Sequence, residues 1–154
     1  MWVDPLGLAN CTYSIERHEL ACTSNDPNDR KIYKIDSNCI HSGRGDAKNK
    51  ISEVNNKNDG PIWPGKFNMF RNTKDKHKGS DWYALQEVSW NKFSSLGYYL
   101  GIKRGGANLH LGTFSKGCIT VSPQGKCKEE FDAMISFLDE EAKKGHENIL
   151  EVIK

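Results

Sequence analysis

The sequence predicts a mainly β fold, a sandwich or barrel of short strands with one C-terminal helix packed on the sheet. Three observations lead there. From residue 31 to 121 the apolar residues come in short β-branched or aromatic runs bounded by Gly, Pro, Asn or Asp, the pattern of strands and turns. Only one stretch has a helical period, Lys128–Gly145, where Phe131, Met134, Ile135, Leu138 and Ala142 recur along one face. The 154 residues include four Trp, five Tyr and six Phe, enough length and bulk for one buried core.

Taken in order, "TYSIERHELA" (Thr12–Ala21) reads as a β-hairpin, with Cys11 and Cys22 at its ends. "KIYKID" (Lys31–Asp36) reads as a strand, and "CIHSG" (Cys39–Gly43) follows after the two-residue turn Ser37-Asn38. Arg44–Gly60 is a polar loop with few core candidates; one that long in a compact domain is functional or mobile. Five further strand-like pieces follow: Pro61–Phe70, Asp81–Val88, Tyr98–Gly105, Asn108–Gly112 and Gly117–Val121. The helix has Glu129 and Glu130 in its first turn, Lys143 and Lys144 in its last, and Gly145 to end it in the left-handed conformation. "NILEVIK" alternates as a closing strand. There is no internal repeat.

Composition narrows the function. Net charge is +2 with both signs interspersed, so a nucleic-acid partner is not expected. No apolar run approaches the ~20 residues of a membrane span, and "MWVDPLGLANC" lacks the basic and apolar regions of a signal peptide. Five cysteines, Cys11, Cys22, Cys39, Cys118 and Cys127, include no CxxC pair, which argues against structural zinc. They fit either two disulfides plus one working thiol or five reduced thiols, and spacing does not choose.

The chemistry-bearing stretch is "NLHLGTFSKGCITV", Asn108–Val121. A cysteine attacks a carbonyl as thiolate, and at its ordinary pKa it is mostly protonated at neutral pH. It therefore needs a base within reach and donors for the oxyanion. His110 offers the base, and a sharp turn at Gly117 offers N–H groups. A hairpin over "LGTFSKG" would set His110 beside Cys118. On these residues alone, core packing and catalysis both stay open.

The same stretch resembles the signature of YkuD-type L,D-transpeptidases. It is nearer still to their compact type VI secretion effector branch, whose motif is approximately R-L-H-P-G-x-x-S-x-G-C-I-T-L. His110, Gly112, Ser115, Gly117, Cys118, Ile119 and Thr120 match it. Upstream, Ser42, Gly43, Gly45, Asn49, Gly60, Pro61, Ile62, Pro64, Gly65 and Phe67 resemble the branch's S-G-x-G…N…G-P-I-P-x-G-x-Y segment, and "DWYALQ" its W-[FY]-x-L strand. The resemblance is strongest over 30–154. It departs at Asn108, commonly Arg, at Leu111, commonly Pro, and at Lys116, often His in housekeeping members.

The resemblance implies a YkuD-like fold and a cysteine L,D-transpeptidase or L,D-carboxypeptidase with no cofactor and no metal. Cys118 is then the nucleophile on a peptidoglycan tetrapeptide stem and His110 its base. Gly117, Ser115 and Gly112 support the turn and oxyanion, and Lys103, Arg104, Lys116 and Trp82 bind substrate. A free nucleophile then favours two bridges, Cys11–Cys22 across the hairpin and Cys39–Cys127 from the strand before the polar loop to the helix start.

"WVDPLGL" (Trp2–Leu8) resembles the end of an RHS-repeat core. That implies residues 1–10 as a core remnant and 11–154 as one toxin domain of a secreted effector. Such a domain would be carried by its parent RHS cage and secretion apparatus, delivered to a target bacterium's periplasm and neutralised in the producer by an immunity protein. Two other functions compete: a nuclease toxin, opposed by the modest charge, and a noncatalytic cell-wall-binding module, opposed by the Cys118–His110 pair. His18, His41, His77 and His146 lack ligand spacing and read as surface groups. Trp63 and Trp90 read as core or rim packing.

Overall fold

The computed structural model describes residues 10–26, 28–29, 31–56, 58–71, 82–87, 107–113, 115 and 117–154. The strand-like piece Tyr98–Gly105 lies outside them, as do Lys103, Arg104, Lys116, His77, Trp90 and the RHS-like Trp2–Leu8. Among the described residues nine strands form a single sheet. They are β1 (Cys11–Ser14), β2 (Glu19–Thr23), β3 (Ile32–Ile35), β4 (Ile40–Ser42), β5 (Gly65–Arg71), β6 (Tyr83–Glu87), β7 (Ala107–Leu111), β8 (Ile119–Val121) and β9 (Ile149–Ile153). The sheet order is β3-β2-β1-β9-β5-β6-β7-β8-β4.

The two edge strands are consecutive in the chain. Ile35 ends β3 and Ile40 begins β4, so the residues between them span the whole order of the sheet. A trans chain advances at most ~3.8 Å per residue, and nine strands laid flat would be about 38 Å wide. The sheet must therefore curl into a nearly closed barrel. Among the described residues one α-helix, α1 (Gly125–Lys143), lies against β3 and β8 and so covers the seam. Tyr33 of β3 stacks on Phe137 of α1 at 4.3 Å between ring centroids.

The mainly β class with one late helix is as the sequence predicts, but one pairing differs. The Ser37-Asn38 turn is in place, and the strands it joins pair elsewhere, β3 with β2 and β4 with β8. The connection over Gly112–Cys118 is no hairpin, because β7 and β8 run parallel, with His110 opposite Thr120. The closing strand β9 lies mid-sheet, parallel to β1 and antiparallel to β5.

The inward row Cys11, Tyr13, Leu20, Phe67, Leu85, Leu109, Ile119, Val121, Leu150 and Val152 is buried, as strand alternation requires. From α1 it receives Phe131, Met134, Ile135, Phe137 and Leu138. The fifth predicted helix contact, Ala142, is exposed, and Glu141 is buried in its place. Glu141 faces inward because it accepts hydrogen bonds from the Asn25 N–H at 2.9 Å and from His146 at 2.7 Å. His146 is thus half-buried and paired rather than a free surface group. The helix starts at Gly125, which moves Glu129 and Glu130 out of its first turn. It ends where expected: Gly145 has φ +82°, with the Gly145 N–H on Ala142 and the His146 N–H on Glu141, a Schellman cap.

Two disulfides join Cys11 to Cys22 and Cys39 to Cys127, and Cys118 is free. The first ties β1 to β2 across directly paired positions. The second fastens the β3–β4 turn to the first turn of α1, over the seam.

Candidate active site

Parallel pairing of β7 and β8 sets His110 opposite Thr120, two residues beyond Cys118 on the neighbouring strand. Gly117 has φ +76° and is buried, a left-handed position where a side chain would be strained. This turns the chain sharply before Cys118. Two hydroxyls then fix the turn, Ser42 Oγ and Ser115 Oγ, each donating to the Cys118 carbonyl at 2.7 Å. Ser42 Oγ also accepts from the Ile62 N–H at 2.8 Å, and Ser115 Oγ from the Gly43 N–H at 3.2 Å. Both serines are fully buried. They anchor the backbone of Cys118 and leave its half-exposed thiol unbridged.

The polar loop is therefore no slack connection. Ser42 and Asn49 exchange hydrogen bonds, Asn49 Oδ1 accepting from the Ser42 N–H and the Asn49 N–H donating to the Ser42 carbonyl. Arg44 pairs with Asp59. A Cβ on Gly43 would come within 2.8 Å of the Asp59 carbonyl oxygen, so the loop closes on bare backbone. Ala47 is buried, Ile51 and Val54 pack on the core, and two single 3-10 turns occupy Gly45–Ala47 and Ile51–Glu53.

His110 is 5% exposed. Its Nδ1 lies 2.8 Å from the Leu111 carbonyl oxygen, and a carbonyl only accepts, so Nδ1 carries the proton and Nε2 the lone pair. Nε2 lies 3.3 Å from Thr120 Oγ1. A Cβ on Gly112 would meet the imidazole at 3.4 Å, so glycine there makes room for the ring. Trp82 stands edge-on to His110, with ring centroids 6.4 Å apart and planes at 85°. At 4% exposure it forms a wall behind the histidine rather than an open platform.

The sequence reading missed His41. It lies on β4 opposite Thr120, so His110, Thr120 and His41 form one row across β7, β8 and β4, with the Trp82 ring, just before β6, against His110. Burial holds the His41 pKa below the usual histidine value, and Lys48, His110 and His18 add to this. His18 is tied to the Ser37 carbonyl at 2.6 Å. No local motif marks His41, because the row exists only once β4 has paired with β8.

A separate groove of about 560 Å³ lies at the end of β5 and α1, lined by Phe70, Arg71, Asp139 and His146 among others. Neither Cys118 nor His110 lines it.

A family model described as the Tlde1 domain matches residues 36–146, from the turn before β4 to the end of the helix cap. It therefore includes every element of the site above. No curated protein and no solved structure matches the chain.

Proposed function

Because the chain belongs to the Tlde1 domain family, a family of type VI secretion antibacterial effectors, we propose that it is a cysteine L,D-carboxypeptidase or L,D-transpeptidase. Its substrate would be the tetrapeptide stems of a target cell's peptidoglycan. What supports this reading is a free cysteine beside the strand that neighbours an oriented histidine. Cys118 is the one thiol outside the two bridges, its backbone is clamped by Ser42 and Ser115, and His110 on the neighbouring strand has Nδ1 engaged and Nε2 as base.

In this mechanism His110 Nε2 takes the thiol proton and Cys118 Sγ bonds to the stem carbonyl carbon. The carbonyl electrons move to oxygen, held by N–H groups near Gly117 and Cys118. The C–N bond then breaks, D-alanine leaves with the proton from His110, and a thioester remains. Water resolves it to a tripeptide stem; an incoming amine gives exchange or cross-linking. Lys103, Arg104 and Lys116 are the proposed contacts to stem carboxylates, with Trp82 closing the His110 side. We read residues 1–10 as the end of an RHS core and 11–154 as the toxin domain. Its site of action would be the target periplasm, and its immunity protein would cover the Cys118 cleft.

Digestion of purified sacculi followed by mass analysis of the muropeptides tests this. The expected result is loss or exchange of the fourth stem residue, absent with Cys118→Ala. Unchanged muropeptides, or killing by protein kept in the cytosol, would refute it.

A further inference from the structure

The row behind His110 contains a hydroxyl and a second imidazole that the mechanism above leaves unused. Thr120 is fully buried, and its Oγ1 is 3.3 Å from His110 Nε2. Nε2 carries the lone pair, so in this arrangement the Thr120 hydroxyl donates to it. That lone pair is the one that must receive the Cys118 proton. While Thr120 donates to Nε2 the base is occupied, and the hydroxyl must turn away before the thiol can use it. A buried hydroxyl that turns from one acceptor needs another, because leaving it unpaired is costly.

His41 is placed to be that acceptor. It is directly opposite Thr120, and side chains directly opposite on antiparallel strands have Cβ atoms ~4.5–5.5 Å apart. Among the described residues no hydrogen bond holds the His41 ring, so a neutral His41 has a nitrogen lone pair to offer. The groups that face it are Thr120 and His110 from β8 and β7, Lys48 from the polar loop and His18 from the β1–β2 turn. None of these is acidic.

We propose that His41 is a positioning residue for the base. When neutral, it accepts the Thr120 hydroxyl and frees His110 Nε2 for the Cys118 proton. When protonated, it releases the hydroxyl back onto Nε2 and opposes formation of the His110 imidazolium. The inference rests on the assignment of Cys118 and His110 as nucleophile and base. Only a hydroxyl rotates, and the proton that moves in catalysis still passes from Sγ to Nε2. Burial, with Lys48 nearby, keeps His41 below the usual histidine pKa, so the neutral, permissive form dominates at neutral pH.

Alkylation of Cys118 by iodoacetamide, followed from pH 5 to 8 by mass spectrometry, tests this without any peptidoglycan. The other four cysteines are bridged, so the rate reports Cys118 alone. His41→Gln keeps an acceptor and cannot titrate, so the acid limb should move down by about half a pH unit, the size of one unit charge two strand spacings away. His41→Phe keeps neither property and should slow alkylation about threefold at neutral pH, the scale of one weak neutral hydrogen bond. Adding Thr120→Val should abolish that slowing, since no hydroxyl then occupies Nε2. Profiles of His41→Gln and His41→Phe that both superpose on wild type would overturn the proposal. If the profiles shift as expected while sacculi stay intact, the proton switch stands and the peptidoglycan assignment fails. Cleaved sacculi with unshifted profiles would overturn the switch and leave the peptidoglycan assignment standing.

Discussion

The two flanks of the sheet are held by different chemistry. On the β1–β2–β3 side, a disulfide crosses the directly paired strands β1 and β2, and a second fastens the seam between β3 and β4 to α1. On the β7–β8–β4 side, where Cys118 lies, two serine hydroxyls and a glycine turn do the holding. Under the proposed mechanism the difference has a chemical reason, because a thiolate that meets a disulfide invites exchange, and hydroxyls that hold the Cys118 turn cannot exchange with it.

The sharpest way to break the comparison is to remove the one unbridged sulfur. Cys118→Ala should lower muropeptide turnover by at least about a thousandfold. Denaturation should shift by no more than about 0.5 kcal/mol, since the residue is half-exposed and its carbonyl clamp is backbone. Residual turnover above a hundredth of wild type would place the nucleophile elsewhere.

The bridged flank should show the opposite response, with stability lost first. Closing 88 residues, Cys39–Cys127 should contribute about 4–5 kcal/mol, and Cys11–Cys22, closing 11, about 3 kcal/mol. Cys39→Ser with Cys127→Ser should therefore cost more in urea denaturation than Cys11→Ser with Cys22→Ser. Equal costs would mean that the seam is held by α1 packing alone. The longer bridge also sits beside β4, so its loss should lower activity through Ser42, whereas loss of the shorter one should not.

Both bridges were legible in the sequence, for different reasons. Cys11 and Cys22 flank a local hairpin, which turn residues and alternation encode nearby. Cys39–Cys127 followed once a resemblance reserved Cys118 for catalysis. The helix face was legible through Leu138 by periodicity, and it failed at Ala142 because Glu141 finds hydrogen-bond partners that hydropathy does not register. The parallel β7–β8 pairing was hidden, since strand direction is set by non-local partners. His41 stayed hidden for the same reason: its importance is its register against Thr120, a residue far along the chain.

Between the covalent and hydrogen-bonded regimes stands Ser42, the residue that links the polar loop, β4 and Cys118. Its hydroxyl donates to Cys118 and accepts from Ile62 with no exposure. Ser42→Ala leaves two buried backbone groups unsatisfied and should cost about 2–3 kcal/mol. It should also slow turnover about tenfold as the Cys118 turn loosens. Ser42→Thr keeps the hydroxyl and should recover part of the rate. A destabilised Ser42→Ala protein with wild-type turnover at low temperature would show that Ser115 suffices to hold the turn.

The smallest effect belongs to the buried carboxylate on the structural flank, and its sign is fixed by linkage. Burial alone would raise the Glu141 pKa, but hydrogen bonds from Ser24, His146 and the Asn25 N–H, with the His146 charge, outweigh it and lower the value below the usual carboxylate range. A depressed folded pKa adds stability that is present above the unfolded value and lost as pH falls through the folded one. Glu141→Gln keeps the shape and loses the charge, so it should cost about 2 kcal/mol at pH 7. That cost should shrink as the medium is acidified below the ordinary carboxylate pKa, because wild type then surrenders the same interaction. Urea midpoints of the two proteins should therefore converge in acid. A gap that stays constant from pH 7 to pH 3 would mean that Glu141 acts through packing rather than charge. Cys118 alkylation should stay unchanged in Glu141→Gln throughout, since His110, whose ring is oriented by the Leu111 carbonyl and the Thr120 hydroxyl, belongs to the other flank of the sheet.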